Sequence, residues 1–145
     1  MGKSRHIVIL GSTGSVGANT LDVIARHPER FKVVALTAHR KIDTLFDQCI
    51  KFQPQYAVVG DAAGAEQLSA RLRAAGSASE VLCGAAALEQ VAASPQADTV
   101  MAAIVGIAGL RATVAAVQSG KRVLVANKEA LVTAGGVFMN AVRSA

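Results

Sequence analysis

The chain has 145 residues, about one domain on the usual scale of roughly 100–200 residues per domain, so a two-domain enzyme with its own cleft is not expected. An apolar fraction of 52% with 17% charged residues excludes intrinsic disorder, and the longest uncharged apolar stretch, residues 99–110, is shorter than the ~18 residues of a membrane span. The net charge of +5 lies entirely within residues 1–41, which indicates an anion-binding segment there.

Strand-like and helix-like segments alternate along the whole chain. Such alternation with short links is typical of a parallel sheet with right-handed crossovers. We therefore predict one domain over residues 1–145 with an α/β, Rossmann-like, doubly wound fold: a mainly parallel sheet with helices on both faces. In chain order, the predicted elements are a strand at 6–10, a helix at 17–25, a strand at 32–38, a helix at 42–50, a strand at 56–59, a helix ending near Gly76, a short strand at 81–83, a weak helix at 88–92, a strand at 99–104, a helix at 110–119, a strand at 122–126 and a last helix within 137–143.

A glycine-rich turn joins the first strand to the first helix. Residues 11–17 read Gly-Ser-Thr-Gly-Ser-Val-Gly, a G-x-x-G-x-x-G variant of the dinucleotide-binding fingerprint. Gly11 permits a tight turn, Gly14 lets backbone approach a pyrophosphate, and Gly17 lets helix and strand pack closely. The helix N-terminus then meets the phosphates, and hydroxyls of residues 12, 13 and 15 are expected to donate as well. The alternative is a tight βα turn with no ligand.

The end of the second strand indicates which dinucleotide is bound. An acidic residue there would favour NAD, but the chain has His39, Arg40 and Lys41 instead. Because cations pair with a 2′-phosphate, this segment predicts NADPH as the cofactor. A solvated basic loop is the alternative.

Polar residues also follow the strand at 122–126. Asn127, Lys128 and Glu129 are expected at the carboxyl end of the sheet, where ligands bind in open α/β folds. The segment from Gly106 to Gly109 takes the equivalent place after the preceding strand and is expected to let a nicotinamide ring approach backbone. An N-capped surface helix after residue 126 is the alternative.

Taken together, these segments resemble the 1-deoxy-D-xylulose 5-phosphate reductoisomerase family. The most specific are Met-Ala-Ala-Ile-Val-Gly and Ala-Asn-Lys-Glu at their present separation, and the resemblance covers nearly the whole chain. It implies that this region is the family's NADPH-binding domain. The matching segments are residues 9–17, 20–23, 33–36, 101–110 and 125–133.

The resemblance also implies roles for individual residues. Lys128 would contact the sugar-phosphate substrate. The family commonly has Gly-Lys-Asn where this chain has His39, Arg40 and Lys41, so contacts that rely on glycine are in doubt at His39. Residues that would contact NADPH are Thr13, Gly14, Ser15, Val16, Asn127 and Glu129.

The family's enzymes isomerise 1-deoxy-D-xylulose 5-phosphate with the help of a divalent ion such as Mg²⁺ or Mn²⁺, then reduce the product with NADPH, a step toward isoprenoids. The resemblance implies that the metal-binding carboxylates lie beyond residue 145. We therefore expect a truncated chain that binds NADPH, has no catalytic or metal-binding residue of its own and is inactive alone. The full-length protein is expected to form a homodimer.

The same residues are compatible with other functions. A cofactor domain of another NADP-dependent dehydrogenase, such as an aspartate-semialdehyde type, and a non-catalytic NADPH sensor both remain open. Nucleic acid is not expected as a partner, because only five aromatic side chains are present and none alternates with basic residues. With no signal-peptide core, and with Cys49 and Cys83 expected to pack as small hydrophobic residues, a cytoplasmic location is expected.

Overall fold

The computed structural model describes residues 4–104 and 107–125. Within them, six strands alternate with five helices, as the sequence predicts. The elements are β1 (Arg5–Leu10), α1 (Ser15–Arg26), β2 (Phe31–Thr37), α2 (Ile42–Phe52), β3 (Tyr56–Val59), α3 (Ala62–Ala74), β4 (Glu80–Cys83), α4 (Ala85–Ala92), β5 (Thr99–Ala102), α5 (Ile107–Gln118) and β6 (Arg122–Val125).

The strands form one six-stranded sheet in the order β4-β3-β2-β1-β5-β6, and every neighbouring pair is parallel. The chain therefore builds outward from β1 in one direction as far as β4, then returns to add β5 and β6 on the other side. The strand order reverses between β1 and β5. In sheets of this kind, ligands bind outside the carboxyl ends of the strands at such a reversal.

Helices cover both faces of the sheet, which confirms the predicted doubly wound architecture. Alternate residues of β1 separate the two cores: Ile7 and Ile9 face α1, α2 and α3, whereas Val8 and Leu10 face α4 and α5. The first core is built on leucine and isoleucine. The second uses small helix residues such as Ala112 and Ala116, so its helices can lie close to the sheet.

The differences from the sequence prediction lie mainly at element ends. Helix α1 begins at Ser15 and α5 at Ile107, each a few residues earlier than apolar spacing indicates, because the first turn of each helix carries exposed residues. The predicted helix within residues 137–143 lies outside the described residues. No helix in the described part of the chain is long and apolar enough to span a membrane.

The two cysteines differ in environment. Cys49 is fully buried in the first core, as predicted, and burial raises the pKa of its thiol to about 12. The prediction for Cys83 is wrong: it is exposed, because β4 is an edge strand with Cys83 as its last residue.

Candidate functional site

The glycine-rich turn lies at the point where the strand order reverses. It follows β1, the central strand next to β5, and leads directly into α1. The turn is tied to the end of β2, where Gly11 N donates to Thr37 Oγ1 at 2.7 Å and Ser12 N donates to Thr37 O at 2.8 Å. The turn is thus held at the edge of the sheet where a ligand is expected.

Two of its glycines are required by the protein itself. Gly11 has φ +84°, and a Cβ there would lie 2.9 Å from Ile104 Cγ1. A Cβ on Gly17 would overlap Gly11 O and would lie 2.6 Å from Ser12 Cα. Gly11 therefore allows the tight turn, and Gly17 allows α1 to pack directly against it.

The middle glycine is not required in this way. Gly14 has φ −78° and ψ 172°, an extended conformation open to any residue. A Cβ at Gly14 would lie 3.7 Å from Gly11 O, which is ordinary van der Waals contact. Since neither backbone nor packing explains this glycine, its bare Cα leaves room for a group from outside the described residues.

The N-terminus of α1 is left open. Gly14 is its N-cap and offers no side-chain hydrogen bond, and the first turn carries no acidic residue. Ala18 N donates to Gly14 O at 2.8 Å, but the N–H groups of Ser15, Val16 and Gly17 have no acceptor among the described residues. These N–H groups and the helix dipole together favour an anion at this position.

The hydroxyl of Ser12 is not available to a ligand, so that part of the sequence prediction is wrong. Ser12 is fully buried and its Oγ donates to Gln48 Oε1 at 2.7 Å. Gln48 Nε2 in turn donates to Ser12 O at 2.9 Å. Neither Gln48 nor Thr37 was predicted from the sequence to hold the turn. The only local signal for Gln48 is a polar residue beside the apolar face of α2.

The basic segment after β2 lies at the same edge of the sheet. His39, Arg40 and Lys41 are all exposed, and among the described residues none of their side chains forms an ion pair. The His39 ring packs over Gly60, where a Cβ would overlap Nδ1, and Gly60 N donates to His39 O at 3.1 Å. Lys41 is the N-cap residue of α2. Two cations are therefore free to meet an anion beside the turn.

A cleft of about 500 Å³ opens beside this segment. Its volume is within the usual range for small-molecule sites, about 300–1,000 Å³. Most of the lining is small or apolar and comes from the carboxyl ends of four strands, so sequence patterns gave no indication of it. The lining residues are Thr37, Ala38, His39, Val59, Gly60, Gly84, Ala85, Leu88 and Ile104.

The remaining predicted residues follow β5 and β6 in the chain. Asn127, Lys128, Glu129 and Gly106 lie outside the described residues. Strand β6 is parallel to β1 and β5, so the chain leaves it at the same edge as the glycine turn. Gly109 does not leave backbone open to a ligand as predicted, because a Cβ there would lie 2.7 Å from Ile104 O; this glycine serves the packing of α5.

Comparison with known proteins identifies relatives over nearly the whole chain. The family model for 1-deoxy-D-xylulose 5-phosphate reductoisomerase matches residues 7–135. Proteins of that name from Nitrosomonas europaea and Burkholderia vietnamiensis are each 60% identical to this chain, over 143 and 139 residues, or 99% and 96% of its length. In both cases the chain spans 35% of the relative's length.

Solved structures give the same result. A 1-deoxy-D-xylulose 5-phosphate reductoisomerase from Zymomonas mobilis in complex with NADPH has a TM-score of 0.88 and 45% identity, covering 97% of this chain and 36% of that one. A DOX-P reductoisomerase in complex with NADPH, fosmidomycin and magnesium has a TM-score of 0.89 and 39% identity, covering 97% and 34%.

Proposed function

We propose that this chain, which belongs to the 1-deoxy-D-xylulose 5-phosphate reductoisomerase family, is the NADPH-binding part of an enzyme that isomerises and reduces 1-deoxy-D-xylulose 5-phosphate to 2-C-methyl-D-erythritol 4-phosphate. The observation that carries the proposal is the open N-terminus of α1 beside Gly14, at the reversal of strand order. The solved relatives that bind NADPH share this fold.

The pyrophosphate is the part of NADPH that would bind at the N-terminus of α1. Its negative charge would accept from the free N–H groups of Ser15 and Val16, at the favourable end of the helix dipole. Gly14 would let the phosphates come close to backbone, with Thr13 beside it. Binding of the pyrophosphate would thus explain Gly14, a glycine that the fold itself does not require.

The adenosine half of NADPH would occupy the cleft beside the basic segment. Gly84 leaves space for a flat ring, and Leu88 and Ile104 give it apolar contacts. His39 lies at the rim of this cleft, packed over Gly60, so its ring is in reach of the adenosine.

The 2′-phosphate of NADPH would be met by Arg40 and Lys41. Both side chains are exposed at the end of β2, next to the cleft, and carry no partner among the described residues. Arginine offers a planar fork that matches phosphate geometry, and lysine adds a second positive charge. No carboxylate is present at this strand end to favour the free ribose hydroxyl of NAD.

The nicotinamide half and the substrate are assigned to the segment after β6. Asn127 and Glu129 would contact NADPH, and Lys128 would contact the sugar phosphate, since β6 ends at the same edge of the sheet as the strand before the glycine turn. NADPH supplies the hydride for the reduction when it is bound. No three His, Cys, Asp or Glu side chains in residues 4–104 and 107–125 are placed to hold a metal, so no metal-dependent step is assigned to them.

Of the alternatives, a dehydrogenase of aspartate-semialdehyde type is not favoured, because the family model and relatives 60% identical all carry the reductoisomerase name. A non-catalytic NADPH sensor is disfavoured for the same reason. A single domain over residues 1–145, a cytoplasmic location, a homodimer, inactivity of this chain alone and the absence of nucleic acid and membrane partners stay predictions.

Calorimetry with NADPH and NADH tests the proposal. We expect the chain to bind NADPH more tightly, and we expect Arg40→Ala to weaken NADPH binding roughly tenfold while leaving NADH unchanged, because only NADPH has the 2′-phosphate. Arg111→Ala is the control, since Arg111 is an exposed arginine on α5. Equal affinity for the two cofactors would contradict the assignment of the 2′-phosphate, and binding of neither would overturn the proposed function.

A further inference from the structure

The side-chain amide of Gln48 and residue Ser12 form a closed pair of hydrogen bonds. Ser12 Oγ donates to Gln48 Oε1 at 2.7 Å, and Gln48 Nε2 donates to Ser12 O at 2.9 Å. Ser12 is fully buried and Gln48 is half-buried, so water has little access to the Ser12 end of the pair. The pair joins α2 to the glycine turn across 36 positions of the chain.

An amide of this length satisfies both groups of Ser12 at once, although the serine hydroxyl also lies 3.2 Å from Thr37 O. The serine carbonyl accepts and the serine hydroxyl donates, so the partner must offer one donor and one acceptor side by side. Leucine in place of Gln48 would leave a buried carbonyl and a buried hydroxyl without this partner. Glutamate would set a carboxylate oxygen against the carbonyl oxygen.

Ser12 in turn supports the first turn of α1. Gly17 packs so closely on it that a Cβ at Gly17 would lie 2.6 Å from Ser12 Cα and 2.8 Å from its carbonyl carbon. Thr37 holds the other side of the turn, through Gly11 N and Ser12 N. Ser12 is therefore fixed between α2, β2 and α1, and a shift of Ser12 moves the open start of the helix.

We propose that Gln48 is a positioning residue for the cofactor pyrophosphate. It acts through Ser12, holding the glycine turn so that the N–H groups of Ser15, Val16 and Gly17 point to one place. This inference rests on the proposed function, because it takes the ligand at the start of α1 to be the pyrophosphate of NADPH. It adds a residue from the second helix to a site built mainly from strand ends and the turn.

The experiment compares two ligands on one variant. NADPH contains the pyrophosphate, whereas adenosine 2′-phosphate reaches only the cleft and the basic segment. We expect Gln48→Leu to weaken NADPH binding roughly tenfold, because the Ser12 carbonyl loses its partner and the Ser12 hydroxyl keeps only Thr37 O, and to leave binding of adenosine 2′-phosphate unchanged. Calorimetry for NADPH and NMR titration for the weaker ligand give the two affinities.

Two further variants complete the design. Gln67→Leu makes the same change at an exposed position on α3 and is expected to alter neither affinity. Gln48→Glu keeps the size of the side chain and is expected to lose NADPH affinity as Gln48→Leu does, so it decides the question where the leucine variant is unfolded. Amide hydrogen exchange of Gly11 and Ser12, whose N–H groups donate to Thr37, should be faster in both Gln48 variants than in the parent chain when no ligand is present.

Each outcome separates the inference from the function on which it rests. NADPH affinity within about twofold of the parent in a folded Gln48 variant would overturn the positioning role. An equal loss for both ligands would overturn it too, because Gln48 would then support the whole domain. If the parent chain binds no NADPH, the proposed function fails and the inference with it, whatever the exchange rates show.

Discussion

Two helices that leave the same edge of the sheet begin in different ways. Helix α3 follows β3 and is closed by its own sequence, since Asp61 accepts from Gly64 N at 2.7 Å. Helix α1 follows β1 with Gly14 at the corresponding place, and no side chain closes it. Both N-cap residues are extended, so the difference lies in the side chain alone. A side-chain cap stabilises a helix by about 1 kcal/mol relative to alanine, and glycine at the N-cap gives up only a few tenths of a kcal/mol of this, so the open start of α1 costs the fold little.

The difference teaches how this fold separates structure from binding. At α3 the Asp61 carboxylate accepts from Gly64 N and sets a negative charge at the helix start, so an anion would be repelled there. At α1 it leaves free N–H groups beside a glycine that packing does not require, while Gly11 and Gly17 on either side are required. An open helix start in a turn held this rigidly is what an anion site needs.

The largest expected effect comes from giving α1 the cap that α3 has. Gly14→Asp places a carboxylate where the pyrophosphate is proposed to bind, so we expect NADPH affinity to fall about a hundredfold or more. Stability should rise by a few tenths of a kcal/mol, because aspartate caps a helix better than glycine. Calorimetry and thermal denaturation measure the two changes.

Gly14→Ala is the control for this swap. The fold accepts a Cβ at Gly14 at ordinary contact distance, so the alanine variant should stay folded, lose less than about 1 kcal/mol of stability as the poorer N-cap residue, and lose less affinity than the aspartate variant. If Gly14→Asp bound NADPH as well as the parent chain, the pyrophosphate would not bind at the start of α1.

A smaller effect is expected at Gly17, where the fold itself demands glycine. A Cβ there meets backbone atoms of residues 11 and 12, which cannot move without displacing the turn. We expect Gly17→Ala to lower the free energy of unfolding by roughly 1–3 kcal/mol, in spite of the better helix propensity of alanine. Urea denaturation measures it, and an unchanged midpoint would show that the close packing of α1 on the turn is not needed.

The smallest effect is expected from removing the side-chain cap of α3. Asp61→Ala removes the cap and should cost about 1 kcal/mol of stability, with NADPH affinity unchanged. Thermal denaturation and calorimetry again give both quantities, and Asp61→Ser, which keeps a capping oxygen, should restore most of the loss. A weaker NADPH affinity in Asp61→Ala would mean that the two helix starts are not independent.

The sequence was sufficient for the fold because its signals are local. Each strand is an apolar run, each helix has an apolar face, and short links leave few ways to connect them. The glycine turn and the basic segment are local signals as well. They were placed correctly at the carboxyl edge of the sheet, although their ligand contacts stay predictions.

What the sequence did not reveal depends on residues far apart in the chain. The amide of Gln48 is recognisable as part of the turn only once α2 has been packed beside it. The same holds for Leu88 in the cleft, which lies on α4, the weakly predicted helix that follows the edge strand β4. Two of the errors share a cause, because Ser12 and Gly109 were predicted to be free for a ligand and are engaged by the fold itself.

The pairing of β1 with β5 also sets the order in which the parts of this protein can fold during synthesis. Ile7 is paired with Thr99, and Ala103 N donates to Leu10 O, so the central contact of the sheet closes a loop of most of the described chain. Contacts of such long sequence separation form late, and during synthesis they must wait until residue 103 has left the ribosome. Ile104, on one wall of the cleft, arrives with them. A cofactor that needs this cleft therefore cannot assist the first half of the chain as it folds; it stabilises only a sheet in which β5 has already paired with β1.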